Sequence, residues 1–249
     1  MNATPILRVE GVTKQFGGFT ALADVTTDFF TDRLTSIIGP NGAGKSTFFN
    51  VLSGAIPPSR GRVYFEGKEI TGIDQHRLAH MGVAKSFQIT NLFPHLSVFE
   101  NARIAVQARH SRFDVWTPRS RLKMVEDRAL VLLASVGLAA KRHELAENLA
   151  HGDQRSLEIA VALACEPRLL LLDEPTAGMS PEEARAMMDL ILRLHQERTV
   201  IIVEHRMKLV MGISDRIIVL HQGRLLAEGT PKDIRAHDEV RRVYLGQSI

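Results

Sequence analysis

Cysteine is almost missing from this sequence: Cys165 stands alone among 249 residues. No intramolecular disulfide can staple the fold, and nothing in the chain speaks for an oxidising compartment. Set among Val161, Leu163 and Ala164, that thiol reads as a small buried hydrophobe and not as a nucleophile. Long apolar runs are missing too, since no stretch reaches the roughly 18–20 residues needed to cross a bilayer. Arg8, Glu10 and Lys14 interrupt the segment where a signal peptide would be continuously apolar. A cytoplasmic chain is therefore expected, with any membrane attachment made through a partner. Internal repeats and low-complexity tracts are absent, which excludes solenoids and collagen-like structures. Charge of one sign is also lacking: 31 Lys and Arg against 28 Asp and Glu leave +3, too little and too interspersed to call for a nucleic-acid partner.

What is present is ordinary globular composition, 45% hydrophobic and 24% charged, in a chain long enough to bury a sizeable core as one to two domains. The first sixty-odd residues read as β-rich. Ile6 to Val12 alternates, Gly17-Gly18 supplies a turn, Leu34 to Ile38 is a short apolar run ending in glycine, and Arg62 to Gly67 gives a further strand and turn. Between about Asn91 and Leu149, Leu122, Val125, Ala129, Leu132, Leu133 and Val136 recur at helical spacing, and Gly137 marks a stop. The basic stretch Gln107 to Arg121 is expected to be a solvated loop within this helical insertion. From Arg168 strand and helix alternate again. Leu169 to Leu172 and Thr199 to Val203 are continuous apolar runs suited to a parallel sheet covered on both faces. Ser180-Pro181-Glu182-Glu183 predicts a capped helix start, with Met187, Leu190, Ile191 and Leu194 as its buried stripe. Arg216 to Leu220 and Arg224 to Ala227 predict a hairpin through Gln222-Gly223, and Thr230-Pro231-Lys232-Asp233 opens a final helix. The pattern as a whole predicts an α/β core with a parallel sheet.

Gly39-Pro40-Asn41-Gly42-Ala43-Gly44-Lys45-Ser46 fills the G-x-x-x-x-G-K-[ST] template, after a strand and ahead of a helix expected over Thr47 to Ser53. Glycines there let successive N–H groups turn inward around phosphate oxygens, and the helix N-terminus adds positive partial charge. Lys45 is placed to reach the β- and γ-phosphates and the Ser46 hydroxyl to ligate Mg²⁺, so the chain is read as binding a nucleoside triphosphate. A second cluster ends the run Leu169 to Leu172. Asp173 would hold the Mg²⁺, and Glu174 would orient the attacking water as general base, at the edge of a parallel sheet where ligands bind.

With both motifs in place, the chain resembles the ATP-binding subunits of ABC transporters over essentially its whole length. That resemblance implies an α/β P-loop NTPase cassette with a parallel-sheet core, an N-terminal antiparallel β subdomain and a helical subdomain. On it, residues 1–90 and 165–249 form the catalytic core with its β subdomain, and about 91–164 form the helical subdomain with the signature loop. It also implies further site residues. Phe16 matches the aromatic that stacks on adenine, and Gly39, Asn41, Gly42, Ala43, Gly44, Lys45, Ser46 and Thr47 cradle the phosphates. Gln88 matches the glutamine that contacts Mg²⁺, and His205 the histidine that touches the γ-phosphate. The signature loop aligns with Leu149-Ala150-His151-Gly152-Asp153 and would face ATP bound on the opposite subunit. Ala150 there replaces a serine hydroxyl, Asp153 puts a carboxylate where an amide sits and would reach the ribose, and Gly152 keeps the backbone donors. Ser180 stands where many members have an aspartate, and Arg206 where an acidic residue is usual.

The resemblance further implies Mg²⁺-dependent ATP hydrolysis and a second ATPase subunit, homologous or a sister chain, to complete the shared site. Transmembrane permease subunits would be moved by it, and a solute-binding protein would act at one remove, the ATPase sitting on the cytoplasmic face of the inner membrane. Leu157-Glu158-Ile159-Ala160, Ala177-Gly178-Met179-Ser180-Pro181-Glu182, Val203-Glu204-His205 with Met207, and Tyr244-Leu245-Gly246 look like the ATPases of branched-chain amino acid importers and of relatives moving urea or amides. Phe93, Leu96, Val98 and Phe99 serve either a permease-docking groove or the core of the helical part. A lipopolysaccharide-type export ATPase is the alternative, followed by a soluble ABC ATPase acting on ribosomes or DNA.

Overall fold

Glycine and the β-branched runs divide the chain into two sheets. The computed structural model describes residues 5–86, 92–110 and 119–245. Strands β1 (Pro5–Phe16) and β2 (Phe19–Phe30) pair antiparallel across the expected Gly17-Gly18 turn. With β4 (Arg60–Phe65) and β5 (Lys68–Glu69) they form a four-stranded sheet in the order β2-β1-β4-β5. The second sheet has six strands in the order β10-β9-β3-β8-β7-β6. Its members are β3 (Leu34–Ile38), β6 (Val83–Lys85), β7 (Leu169–Asp173), β8 (Thr199–Val203), β9 (Arg216–His221) and β10 (Arg224–Gly229). All but β10 run parallel. The three central strands are buried at every residue, as their unbroken apolar runs require.

Register aligns the site. Ile37 of β3 pairs with Val203 of β8, which pairs with Asp173 of β7, so the loops leaving these three strands emerge along one edge. Helix α1 (Lys45–Leu52) follows β3 and α2 (Gln75–Met81) precedes β6. Helices α3 (Val98–His110), α4 (Arg119–Ser135) and α5 (His151–Leu163) pack together around Val98, Ala102, Val125, Ala129, Leu133 and Leu157. Helix α6 (Pro181–His195) joins that core through the expected Met187, Leu190, Ile191 and Leu194. On the other side of the sheet, Phe29, Phe48, Phe49 and Phe65 tie the antiparallel sheet to α1. The C-terminal part adds α7 (Met207–Ile213), α8 (Pro231–Ala236) and α9 (Asp238–Val240).

Three expectations are corrected. The helix after the phosphate loop begins at Lys45, not Thr47, because left-handed Gly44 serves as its N-cap. The basic stretch read as loop is helical at both ends, since α3 runs to His110 and α4 starts at Arg119; residues 111–118 lie outside the described residues. The helix opened by Thr230 is not the last. It ends at Ala236, where His237 turns extended and its ring nitrogen accepts from the Val240 N–H at 3.4 Å, capping the next turn. Within the Phe93–Phe99 group, Val98 is wholly buried core while Phe93 is 53% exposed. Gly137 does end α4, left-handed at φ 81°, with the Leu138 N–H reaching back to Leu133 at 2.8 Å. Cys165 is half-buried, and burial pushes its thiol above the ordinary range.

Candidate active site

The phosphate loop leaves β3 at Gly39 and closes on α1. A Cβ at Gly39 would lie 2.3 Å from the Leu220 carbonyl oxygen, and one at Gly44 (φ 97°) 2.7 Å from that of Ala21. Neither position admits a side chain, and Gly42 takes φ 79° at the exposed apex. Asn41, Gly42 and Ser46 face solvent, Thr47 is half-buried and Ala43 is buried. The loop is also pinned from outside. The Gly223 N–H donates to the Ala43 carbonyl at 3.0 Å, and the Ala23 N–H to the Gly223 carbonyl at 2.8 Å. The β9–β10 turn therefore fastens the phosphate loop to β2.

Lys45 opens α1 and is only 8% exposed. Its ammonium donates to the Gly39 carbonyl at 2.7 Å and to that of Pro40 at 3.0 Å. Burial holds its pKa below the usual lysine range, opposed by the nearby carboxylates of Glu174 and Asp173. Asp173, last residue of β7, is 5% exposed. Burial raises its pKa, Lys85 opposes this, Glu174 adds to it, and Arg155 and Lys45 oppose it further. The expected charge cluster of Lys45, Asp173 and Glu174 is therefore assembled. The donor set suits a hard cation: a hydroxyl from Ser46 and a carboxylate from Asp173. Among the described residues no group of three or more His, Cys, Asp or Glu could hold a metal. A divalent ion here would complete its shell with phosphate oxygens and water, which is how Mg²⁺ binds.

Glu174 adopts a left-handed backbone (φ 44°), fixed by its N–H donating to Val203 at 2.9 Å. Such strain in a non-glycine residue is held only where the surroundings over-determine it. The His205 Nδ1 lies 3.9 Å from the Glu174 Oε1, with the imidazole side chain half exposed. Phe16 ends β1 half exposed, the Lys14 ammonium 5.1 Å from its ring centre, and its cross-strand neighbour Phe19 is also exposed. Gln88 lies outside the described residues.

The loop at Ala150 stands at the start of α5. Ala150 is the N-cap and has no side chain to offer the helix. Position 152 lies beside the Glu183 carboxylate, and the His151 ring lies beside Gly178, so this loop packs against the entry to α6. There Ser180 forms the expected capping box: its hydroxyl accepts from the Glu183 N–H at 3.2 Å, and the Glu183 carboxylate accepts from the Ser180 N–H at 2.9 Å. The carboxylate of Asp153, expected at a ribose, is held by the ammonium of Lys141 from the same chain.

Two residues named in the sequence were given no role there. Glu204, after β8, is completely buried, and its only signal was a carboxylate directly following an apolar strand. The Arg206 guanidinium donates to the Met179 carbonyl at 2.8 Å, which gives that departure from the pattern a structural consequence.

The chain is similar to known proteins over nearly its whole length. The ABC transporter family model matches residues 22–177, and that of the branched-chain amino acid ATP-binding cassette transporter matches 224–248. The chain is 42% identical over 252 aligned positions to the high-affinity branched-chain amino acid transport ATP-binding protein LivG of Escherichia coli K12, covering 98% of this chain and 99% of the relative. Among solved structures, an ATP-binding cassette of an ABC transporter in its ADP conformation superposes with TM-score 0.85 at 31% identity, covering 98% and 100% of the two chains. A dimeric cassette in a post-hydrolysis state bound to ADP and phosphate superposes with TM-score 0.76 at 26% identity, covering 90% and 98%.

Proposed function

The chain belongs to the ABC transporter ATP-binding family, and we propose that it is the ATP-hydrolysing subunit of an importer for branched-chain or related amino acids. The observation that carries the chemistry is the convergence of Gly39–Ser46, Asp173-Glu174 and His205 on one edge of the parallel sheet. The importer assignment is supported by near-full-length similarity to the branched-chain relative and by the match at residues 224–248.

In this reading the backbone of Gly39–Ser46 and the α1 N-terminus bind the phosphates, and Lys45 exchanges its two carbonyl partners for phosphate oxygens. Phe16 stacks on the base. Ser46, Asp173 and Gln88 would hold Mg²⁺, which would offset the charge of the phosphates. The Glu174 carboxylate accepts a proton from the attacking water, and His205 donates to the γ-phosphate. Catalysis rests mainly on positioning and charge stabilisation. Ala150, Gly152 and Asp153 serve the nucleotide of a second ATPase subunit, arranged head to tail, so two chains share each ATP. Opening and closing of that pair would drive permease subunits at the cytoplasmic membrane face, with a solute-binding protein delivering the substrate.

The test is Glu174→Gln. The variant is expected to lose hydrolysis while keeping ATP-dependent pairing, so the tagged protein, drawn from native membranes solubilised with ATP and Mg²⁺, should carry polytopic permeases with it. Turnover at the wild-type rate would remove Glu174 from its role. Recovery of ribosomal or DNA-bound proteins instead would keep the ATPase chemistry and overturn transport.

A further inference from the structure

Between the ends of β7 and β8 lies a carboxylate with no solvent contact. Glu204 is 0% exposed. One of its oxygens accepts from the Thr176 N–H at 3.2 Å and from the Thr176 hydroxyl; the other accepts from the N–H groups of His205 at 3.0 Å and Arg206 at 3.2 Å. A buried carboxylate is tolerated only when its lone pairs are met, and here every donor belongs to one of two loops. From the same turn, the Arg206 guanidinium crosses to the Met179 carbonyl at 2.8 Å. Residues 204–206 are thus bridged twice to residues 176–179.

The second loop follows directly from Glu174. The Ala177 N–H donates to the Glu174 carbonyl at 3.0 Å, and the Met179 N–H to the Thr176 carbonyl at 3.2 Å. Thr176 is fully buried and Met179 nearly so. The His205 side chain, by contrast, is 51% exposed, and its Nδ1 stands 3.9 Å from both the Glu174 Oε1 and the Glu204 Oε2, so Glu204 meets this residue at its ring as well as at its backbone N–H. Charge favours the arrangement as well: a cation at position 206 can satisfy the Met179 carbonyl, and a carboxylate there would oppose it.

We propose that Glu204 and Arg206 are positioning residues for hydrolysis, forming a clasp that holds the His205 turn against the loop leaving Glu174 so that the two groups face the γ-phosphate together. The clasp touches no phosphate; it acts through the backbones that carry His205 and Glu174. The inference rests on the ATPase reading and deepens it.

The experiment uses the full chain, with steady-state ATP hydrolysis, equilibrium ATP binding and thermal unfolding measured for Arg206→Ala, Arg206→Lys and Glu204→Gln. Loosening a reacting group by about an ångström is expected to cost on the order of 10- to 100-fold in rate. Arg206→Ala should therefore lower kcat by about that range while ATP affinity and KM stay within about twofold, because the phosphate loop is untouched. Arg206→Lys should recover most of the rate, since an ammonium can also donate to the Met179 carbonyl. Glu204→Gln should fall at least as far as Arg206→Ala, because an amide cannot accept on both sides. Wild-type kcat in Arg206→Ala, or a loss of ATP affinity with kcat unchanged, would overturn the clasp. Failure of Arg206→Lys to recover rate, with unfolding temperature falling in step, would also overturn it. A wild-type chain that binds ATP without turnover would bring down the ATPase reading and the clasp together, whereas turnover unaffected by Arg206→Ala sinks the clasp alone.

Discussion

The ammonium of Lys141, in the turn after α4, grips the carboxylate of Asp153 in the first turn of α5. The contact is half open to solvent, 42% and 29% exposed on its two sides, and it raises the Lys141 pKa chiefly through the hydrogen bond to Asp153. Exposed pairs of this kind contribute about 0.2–1 kcal/mol and are weakened by salt. A double-mutant cycle of Lys141→Met and Asp153→Asn, read by urea unfolding, should give a coupling in that range that falls markedly in 1 M salt. A coupling insensitive to salt would mean the pair is far better shielded than its exposure says.

Ala150 leaves α5 without a side-chain cap. Ala150→Ser should therefore stabilise the chain by about 1 kcal/mol, visible as a rise in unfolding temperature of about 2–4 °C. The same hydroxyl would add a donor toward the partner's nucleotide, so turnover of the assembled complex should rise, up to about tenfold. A higher unfolding temperature with flat turnover would mean that the α5 backbone donors already suffice.

Glu158 is buried in α5 and accepts from Arg155 at 2.7 Å. Burial raises its pKa; Arg155 and, to a smaller degree, His151 pull it back. With the folded pKa above the unfolded one, the stability linked to its proton is present below the ordinary carboxylate range and lost as pH rises through the folded value. Glu158→Gln does not titrate. Its stability relative to wild type should therefore be greatest near neutral pH, by about 1 kcal/mol or less, and should shrink as pH falls toward 4. Urea midpoints at three pH values decide this, and a difference that grows on acidification would contradict it.

Gly42 and Gly44 share a left-handed backbone but not their surroundings. A Cβ at Gly42 meets nothing within 4 Å, whereas at Gly44 it would lie 2.7 Å from a backbone oxygen. Gly42→Ala should cost about 1–2 kcal/mol through conformation alone. Gly44→Ala should cost clearly more and weaken ATP binding as well, since either α1 or β2 must shift. Denaturant unfolding of both variants compares them directly, and equal losses would count against the steric account.

Much of the fold was legible because the strongest signals were local. Leu169 to Leu172 could only be a strand covered on both faces, Gly137 could only end a helix, and Ser180 with Glu183 spelled out a cap. Asp173 and Lys45 were legible for the same reason, each fixed within a few residues of a strand end. What escaped were pairings across distance. Nothing near Asp153 in sequence announced Lys141, 12 residues away, and Glu204 meets Thr176 across 28. Arg206 looked idle because its acceptor is a main-chain carbonyl, which leaves no mark in side-chain pattern. The basic stretch before Arg121 misled because its polarity masked the end of α3 and the start of α4.

The hydrogen bonds at Gly223 bear on how the site measures its ligand. That single residue bonds to Ala43 in the phosphate loop and to Ala23 in β2, and β2 pairs with β1, whose end carries Phe16. The aromatic platform and the phosphate cradle are therefore surveyed from one main-chain benchmark. The span between them is a property of the peptide scaffold, so, on the nucleotide-binding role proposed for Phe16, a different ring at position 16 would change how firmly a base is gripped without changing how long a nucleotide the cleft accepts.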